Sequence, residues 1–240
     1  MKELSVVVLC FKSGHYAKEF ATQISNELET ENLNYELVLV GNYIKNSNDK
    51  TPEIINELVR ANSKFIGITR EKKGMMGWDM RLGLEVSKGK YVAVIDGDGQ
   101  MPTSDILKVY HKIKNGNFDI VKTYRRVRHD GVYRKVLSQS YNFLLRVLFP
   151  QIGNIRDVNS KPKILKRSVL NSMDLNSNDW FTDSEIMIEA VRLNLKVGEI
   201  ATVFQKNERR KTFVSYATIL EFIWNLFKYR FLRKCLNDKK

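Results

Sequence analysis

Four short apolar runs, Leu4–Leu9, Tyr35–Val40, Lys64–Thr69 and Tyr91–Ile95, recur through the first hundred residues with helix-length stretches between them. Each run is rich in β-branched residues and bounded by polar or Gly-containing segments, the pattern of a buried strand. The intervening stretches, at 15–30, 51–62 and 77–87, carry helical spacing of apolar residues, with Thr51-Pro52 placed as an N-cap and first-turn pair. Strands alternating with helices demand an α/β fold: a mostly parallel sheet covered on both faces. Such sheets bind ligands at the carboxyl ends of their strands, so the loops following the apolar runs are where chemistry is expected.

Beyond Gln100 the pattern is less regular. Helices are expected at Thr103–Lys114, Val132–Phe149 and Asp183–Leu193, and strands at Phe118–Lys122 and near Val197–Phe204. With 240 residues, 43% of them hydrophobic and 28% charged, one α/β domain can bury a full core without metal or disulfide support. The expected division is a domain over 1–213 and an amphipathic basic helix over 214–240. Cys10 and Cys235 stand at opposite ends, which excludes a disulfide framework and a four-Cys zinc site and fits a reduced cytosolic compartment. The opening MKELSVVVLCF reads as a first strand, not a signal peptide, and nowhere do 18 apolar residues run together, so no membrane span is expected.

The 40 Lys and Arg exceed the 27 Asp and Glu by 13, and the excess is local. Residues 122–136 carry a net +5 and residues 206–240 a net +7, leaving the rest almost neutral. An anionic partner at those two segments follows. No aromatic-basic RNA motif or recognition-helix pattern accompanies them, which disfavours nucleic acid and leaves a non-catalytic basic binding protein as the weaker alternative.

The sharpest chemical signal is Asp96-Gly97-Asp98-Gly99-Gln100, directly after the fourth apolar run. Carboxylates at i and i+2 and an amide at i+4, with glycines between, let a tight loop turn several oxygens toward one hard cation, Mg²⁺ or Mn²⁺. Positions on that ion stay free for diphosphate oxygens. The competing reading is a polar turn that merely ends a strand. An EF-hand does not fit, because the twelfth position counted from Asp96 is Leu107 where a bidentate Glu is needed.

Taken with the two opening strands, and with Gly74 and Gly77 leading into a helix that ends at Gly83 to Gly89, the segment YVAVIDGDGQ resembles the inverting, GT-A-fold glycosyltransferases of family 2. Within them the chain is most similar to the dolichol-phosphate mannose synthase-like, polyprenyl-phosphate branch, over roughly residues 4–215. The resemblance implies a metal-dependent transfer of a hexose from a UDP- or GDP-linked sugar to a polyprenyl phosphate. It implies that Asp96, Asp98 and Gln100 hold the metal and donor diphosphate, with Asp98 catalytic and Asp96 alternatively touching the donor's ribose or base. Where the family carries paired aspartates after the second strand, this chain has Gly41-Asn42, so Asn42 and the loop carboxylate Asp49 become the candidates for donor contact. Its first loop also departs, reading Cys10-Phe11-Lys12-Ser13-Gly14-His15 in place of the usual Asn-Glu pair. Arg209, in Glu208-Arg209-Arg210-Lys211-Thr212, resembles a late loop residue that closes over the diphosphate, though without the Gly that usually follows. Asp157 stands where relatives have an acceptor-site motif.

For the acceptor, the resemblance implies Arg125 after the fifth strand, then Arg134 and Ser138. Their four-residue spacing puts Arg134 and Ser138 on one helix face, where a guanidinium fork and a hydroxyl can grip one phosphate. A phosphate whose second ionisation lies near about pH 6 is largely a dianion at neutral pH and needs no general base. A saccharide hydroxyl, the alternative acceptor in surface polysaccharide synthesis, would need one, and Asp183 and Glu185 are the candidates. Thr182 with Glu185 reads equally as a capping box. In the tail, Ile219, Leu220, Ile223, Trp224, Phe227 and Phe231 fall at helical spacing, with Phe222, Leu226 and Tyr229 widening the apolar face beside Lys228, Arg230, Arg233 and Lys234. Such a helix suits an anionic membrane surface, with packing on the domain or on a second copy as the alternative. The expected setting is cytoplasmic, peripheral on the inner face of the membrane. Oligomeric state, base and sugar stay open.

Overall fold

The computed structural model describes residues 1–206 and 216–237. The elements run β1 (Leu4–Leu9), α1 (Tyr16–Thr30), β2 (Tyr35–Val40), α2 (Thr51–Ala61), β3 (Phe65–Ile68), α3 (Met76–Val86), β4 (Tyr91–Asp96), α4 (Asp105–Asn115) and β5 (Ile120–Arg128). They continue with α5 (Val132–Leu148), β6 (Lys163–Lys166), α6 (Arg167–Ser172), α7 (Thr182–Arg192), β7 (Val197–Phe204) and α8 (Tyr216–Asn237). Among the described residues seven strands form one sheet in the order β3-β2-β1-β4-β6-β5-β7. β1 to β4 are mutually parallel, β5 and β7 are parallel, and β6 runs against both its neighbours.

Period-two alternation within β1 divides the core. Val6 and Val8 join Phe20 and Ile24 of α1, Ile55 of α2 and Val109 of α4 on one face. Val7 and Leu9 join Met80 of α3, Ile186 and Met187 of α7 and Leu226 of α8 on the other. Every one of these side chains is buried, each contributing roughly 1.5–3 kcal/mol by removal from water. Both faces are therefore covered, as the near-continuous apolar runs require.

Three sequence expectations change. β5 does not stop at Lys122 but runs to Arg128, because pairing with β7 persists through Arg128 opposite Phe204, across an irregularity between Arg125 and Val127. β6 and α6 were not anticipated. Of the two readings of Thr182 and Glu185, the capping box is absent: Thr182 Oγ1 donates to Ser177 O, and the Glu185 carboxylate accepts from the backbone amides of Asn176 and Ser177, both at 3.0 Å.

α8 also presents its faces differently. Leu226 is fully buried, Phe222 stacks edge-on against Tyr141 of α5, Tyr229 packs on Phe181 and Phe149, and Asn225 donates to Asp179 at 2.8 Å. The residues read as merely widening the apolar face are thus the ones that pack. Trp224, Phe227 and Phe231 remain exposed at 65%, 40% and 56%. None of the described helices is long and apolar enough to cross a membrane.

Candidate active site

The catalytic candidates gather at the carboxyl ends of β1 and β4, where Leu9 stands opposite Asp96. Asp96 ends β4 and the chain turns at once. Gly99 sits at φ +72, and a Cβ there would lie 2.2 Å from the Tyr16 hydroxyl, so both the backbone and the close approach of α1 require glycine. The turn is pinned on two sides. Gly97 N donates to Leu9 O at 2.9 Å and Ser13 Oγ to Gly97 O at 3.0 Å. Gln100 exchanges bonds with Gln205, its Nε2 reaching Gln205 O at 2.9 Å and its carbonyl accepting from Gln205 N at 2.8 Å. The β4 turn is therefore stitched to the end of β7, at the point where the chain enters the segment containing Arg209. Arg209 lies outside the described residues.

Asp98 accepts from Gln100 N at 3.1 Å and is partly exposed, while Asp96 keeps 35% of its side chain accessible. Among the described residues no three His, Cys, Asp or Glu side chains converge into a ready-made metal cage. Two carboxylates at a strand end do fit Mg²⁺ or Mn²⁺, which bind through one or two carboxylates and complete their shell with phosphate oxygens and water.

A cavity of about 460 Å³ lies between the loops after β1 and β2, lined by residues including Ser13, Gly14, His15 and Asp49. Lys50, not Thr51, is the N-cap of α2; Asp49 Oδ1 accepts from Thr51 N at 3.0 Å and Thr51 Oγ1 at 2.5 Å at the helix start, and its Oδ2 is buried without a partner. Asn42 corrects its sequence assignment. It is fully buried, donates to Asp79 at 2.8 Å and accepts from Arg70 N at 2.8 Å, so its amide braces the β2 end and faces no ligand space. Burial pushes the Asp79 carboxyl up, against the opposing pull of Lys72 and Asn42.

Arg125 of β5 and Ser138 of α5 are brought together, the guanidinium Nη2 standing 3.4 Å from Ser138 Oγ. Asp157 holds that guanidinium bidentately, accepting from Nε at 2.7 Å and from Nη2, and also accepts from Arg125 N at 3.0 Å. Burial alone would raise the Asp157 carboxyl, but these bonds and the Arg125 charge take it down to about 2. Asn142 ties the loop to the helix, donating to Ser138 O at 2.6 Å and accepting from Val158 N at 3.1 Å. Arg134, half-buried on α5, lies 3.7 Å from Asp130, which also pairs with Arg128. Thr123, on the same strand as Arg125, donates to Lys161 O at 2.7 Å, and Lys161 Nζ reaches Asp96 at 3.3 Å, which ties the Arg125 strand to the end of β4.

Of the two base candidates, Glu185 is already engaged, since it is buried and its carboxylate fastens the 176–177 backbone. Asp183 is buried between two lysines, its Oδ2 2.8 Å from Lys161 Nζ and its Oδ1 2.8 Å from Lys163 Nζ. Burial would raise its carboxyl, but the Lys161 and Lys163 charges together hold it below the usual carboxylate range. Lys161 also reaches Asp96, at 3.3 Å. Neither lysine was singled out in the sequence. Their i, i+2 spacing around Pro162, which puts both on one side of an extended segment, was the available signal.

Residues 5–173 match the family described as glycosyl transferase family 2. A dolichol-phosphate mannosyltransferase from Pyrococcus furiosus is 29% identical over 232 residues, 94% of this chain and 63% of the relative. An undecaprenyl-phosphate 4-deoxy-4-formamido-L-arabinose transferase from Aeromonas hydrophila is 26% identical over 59% of this chain and 43% of its own length. The chain thus spans less than two thirds of these curated relatives. In fold it is similar to glucosyl-3-phosphoglycerate synthase from Mycobacterium tuberculosis, solved with Mn²⁺, uridine diphosphate and glucosyl-3-phosphoglycerate, with a TM-score of 0.73 at 17% identity over 95% of this chain and 80% of that one.

Proposed function

Since the chain belongs to glycosyl transferase family 2, we propose that it moves a hexose, with inversion, from a UDP- or GDP-linked sugar to a polyprenyl phosphate, using Mg²⁺ or Mn²⁺. The observation that carries this reading is the approach of Arg125 to Ser138, on the strand whose Thr123 holds the backbone of Lys161, which in turn reaches Asp96. Asp157 pre-orients the Arg125 fork, so that little side-chain freedom remains to be lost when a phosphate arrives. Arg134 completes the grip from one turn earlier on α5.

A phosphate acceptor also suits what the site offers for proton transfer. Asp183, doubly bonded by ammoniums, is a poor proton acceptor, and Glu185 is engaged by backbone amides. A phosphate dianion needs neither. The work reduces to alignment; Asp96 and Asp98 would hold a divalent ion that would offset charge on the departing diphosphate, with Arg209 the proposed further diphosphate contact. Asp49, which lines the cavity after β1 and β2, is the donor-side contact that remains once Asn42 is set aside.

The test is transfer by the purified chain from UDP- and GDP-hexoses with Mn²⁺, offered polyprenyl phosphate or a saccharide. Arg134→Ala is expected to lower kcat/KM for the lipid phosphate about 10- to 100-fold, the worth of one charged hydrogen bond. Transfer to saccharide alone, unaffected by that substitution, would overturn the assignment.

The acceptor's lipid anchor brings the site to a bilayer surface, and two packed helices support this. α8 exposes Trp224, Phe227 and Phe231, and its neighbour α5 exposes Val136, Phe143 and Val147. The two helices pack on each other through Tyr141 and Phe222. Replacing Trp224 and Phe231 together by Ala is expected to weaken sedimentation with phosphatidylglycerol vesicles about tenfold or more, with unchanged thermal unfolding, because both rings are largely exposed. Undiminished vesicle binding would remove α8 from the docking surface.

A further inference from the structure

Lys161 is 3% exposed and stands between two carboxylates, 2.8 Å from Asp183 Oδ2 and 3.3 Å from each oxygen of Asp96. Its backbone is fixed. Thr123 Oγ1 donates to Lys161 O at 2.7 Å, and Thr123 N donates to Pro162 O at 3.1 Å. The ammonium is thus delivered to the end of β4 by a segment anchored across β5.

The local charge balance gives it a role. Asp183 already has the Lys163 ammonium on its other oxygen, at 2.8 Å. Two ammoniums and two carboxylates come to neutrality only when Lys161 counts against Asp96. Asp96 is also one of the two carboxylates assigned above to the divalent ion. A fixed monovalent cation, itself buried, and a mobile divalent one therefore compete for the same partly exposed anion, and like charges this close repel.

We propose that Lys161 is a built-in counter-cation that lowers the affinity of the Asp96–Asp98 site for a divalent metal until a nucleoside diphosphate supplies the missing negative charge. Metal and donor then enter as one unit, and the ion is released when the diphosphate leaves. Lys161 is a positioning residue in this scheme, acting through Asp96. The inference rests on the proposed function's assignment of Asp96 as a metal ligand.

Mn²⁺ titration followed by electron paramagnetic resonance, on the full chain without nucleotide, separates the two. Wild type is expected to bind Mn²⁺ weakly. Lys161→Gln, which keeps a hydrogen-bond donor for Asp183 but removes the charge, is expected to bind it about tenfold or more tightly. Lys161→Arg is expected to match wild type. A merely structural lysine predicts the opposite sign, since a disordered site would bind less. Equal or weaker Mn²⁺ binding by a folded Lys161→Gln variant overturns the proposal. Should that variant not fold, wild type alone decides: its Mn²⁺ affinity must rise about tenfold or more on adding UDP or GDP, and tight binding without nucleotide overturns the proposal. If Asp96→Asn leaves Mn²⁺ binding unchanged with and without nucleotide, the ligand assignment itself fails, whatever Lys161 does.

Discussion

Asp98→Ala is expected to reduce transfer about a thousandfold while the protein folds as before. The side chain is partly exposed on a turn whose shape is set by Gly99 and by the bonds of Gly97 and Gln100, so its removal leaves the turn's backbone fastened. Its chemistry has no such substitute. A divalent ion held by Asp98 and Asp96 would supply several kcal/mol of charge stabilisation, at about 1.4 kcal/mol per factor of ten in rate. The measurement is turnover at saturating Mn²⁺ and donor, paired with circular dichroism and thermal unfolding. Turnover within about tenfold of wild type would remove Asp98 from the catalytic assignment.

The second large effect is structural. Asp183→Ala is expected to destabilise the fold by about 3–5 kcal/mol, because it leaves two buried ammoniums, Lys161 and Lys163, without their shared carboxylate. In a chain of this size that lowers the melting temperature by roughly 6–20 °C. The pH dependence has a definite sign. Asp183 is held below its unfolded value of about 3.9, so its contribution is complete above that value and is lost as pH falls through the lower, folded one. Acid unfolding of wild type should therefore show a component that the variant lacks. A general base would behave otherwise: the Ala variant would keep its melting temperature and lose the acidic limb of its pH–rate profile.

The parallel half of the fold was legible because it repeats one simple code. Leu4–Leu9, Tyr35–Val40 and Tyr91–Ile95 are apolar at nearly every position, a pattern that two-sided burial alone demands, and the turn after Tyr91–Ile95 carries its own glycines. What the sequence hid depends on partners far apart along the chain. Lys161 and Asp96 are 65 residues apart, and a Lys-Pro-Lys segment looks solvated until β6 is seen to run backwards between β4 and β5. That reversal brings the residues before the strand, not after it, to the ligand-binding edge. Asn42 misled for a related reason. Its position at the end of β2 is right for a ligand contact, but Asp79, on a helix 37 residues later, takes its amide. On α8 nine apolar positions offered several inward faces, and only partners distant in sequence, Tyr141 of α5 together with Phe149 and Phe181, decide that Phe222, Leu226 and Tyr229 point in.

α8 carries two duties on opposite sides of a single turn. Leu226 completes the core that contains Val7 and Met80, while Trp224 and Phe227, its near neighbours in sequence, face outward. Deleting the helix to obtain a better-behaved chain would unroof Phe181 and Phe149 and take with it the rings proposed to meet lipid. The proposed adhesion and the integrity of the core are not separable by truncation in this fold. They are separable one ring at a time.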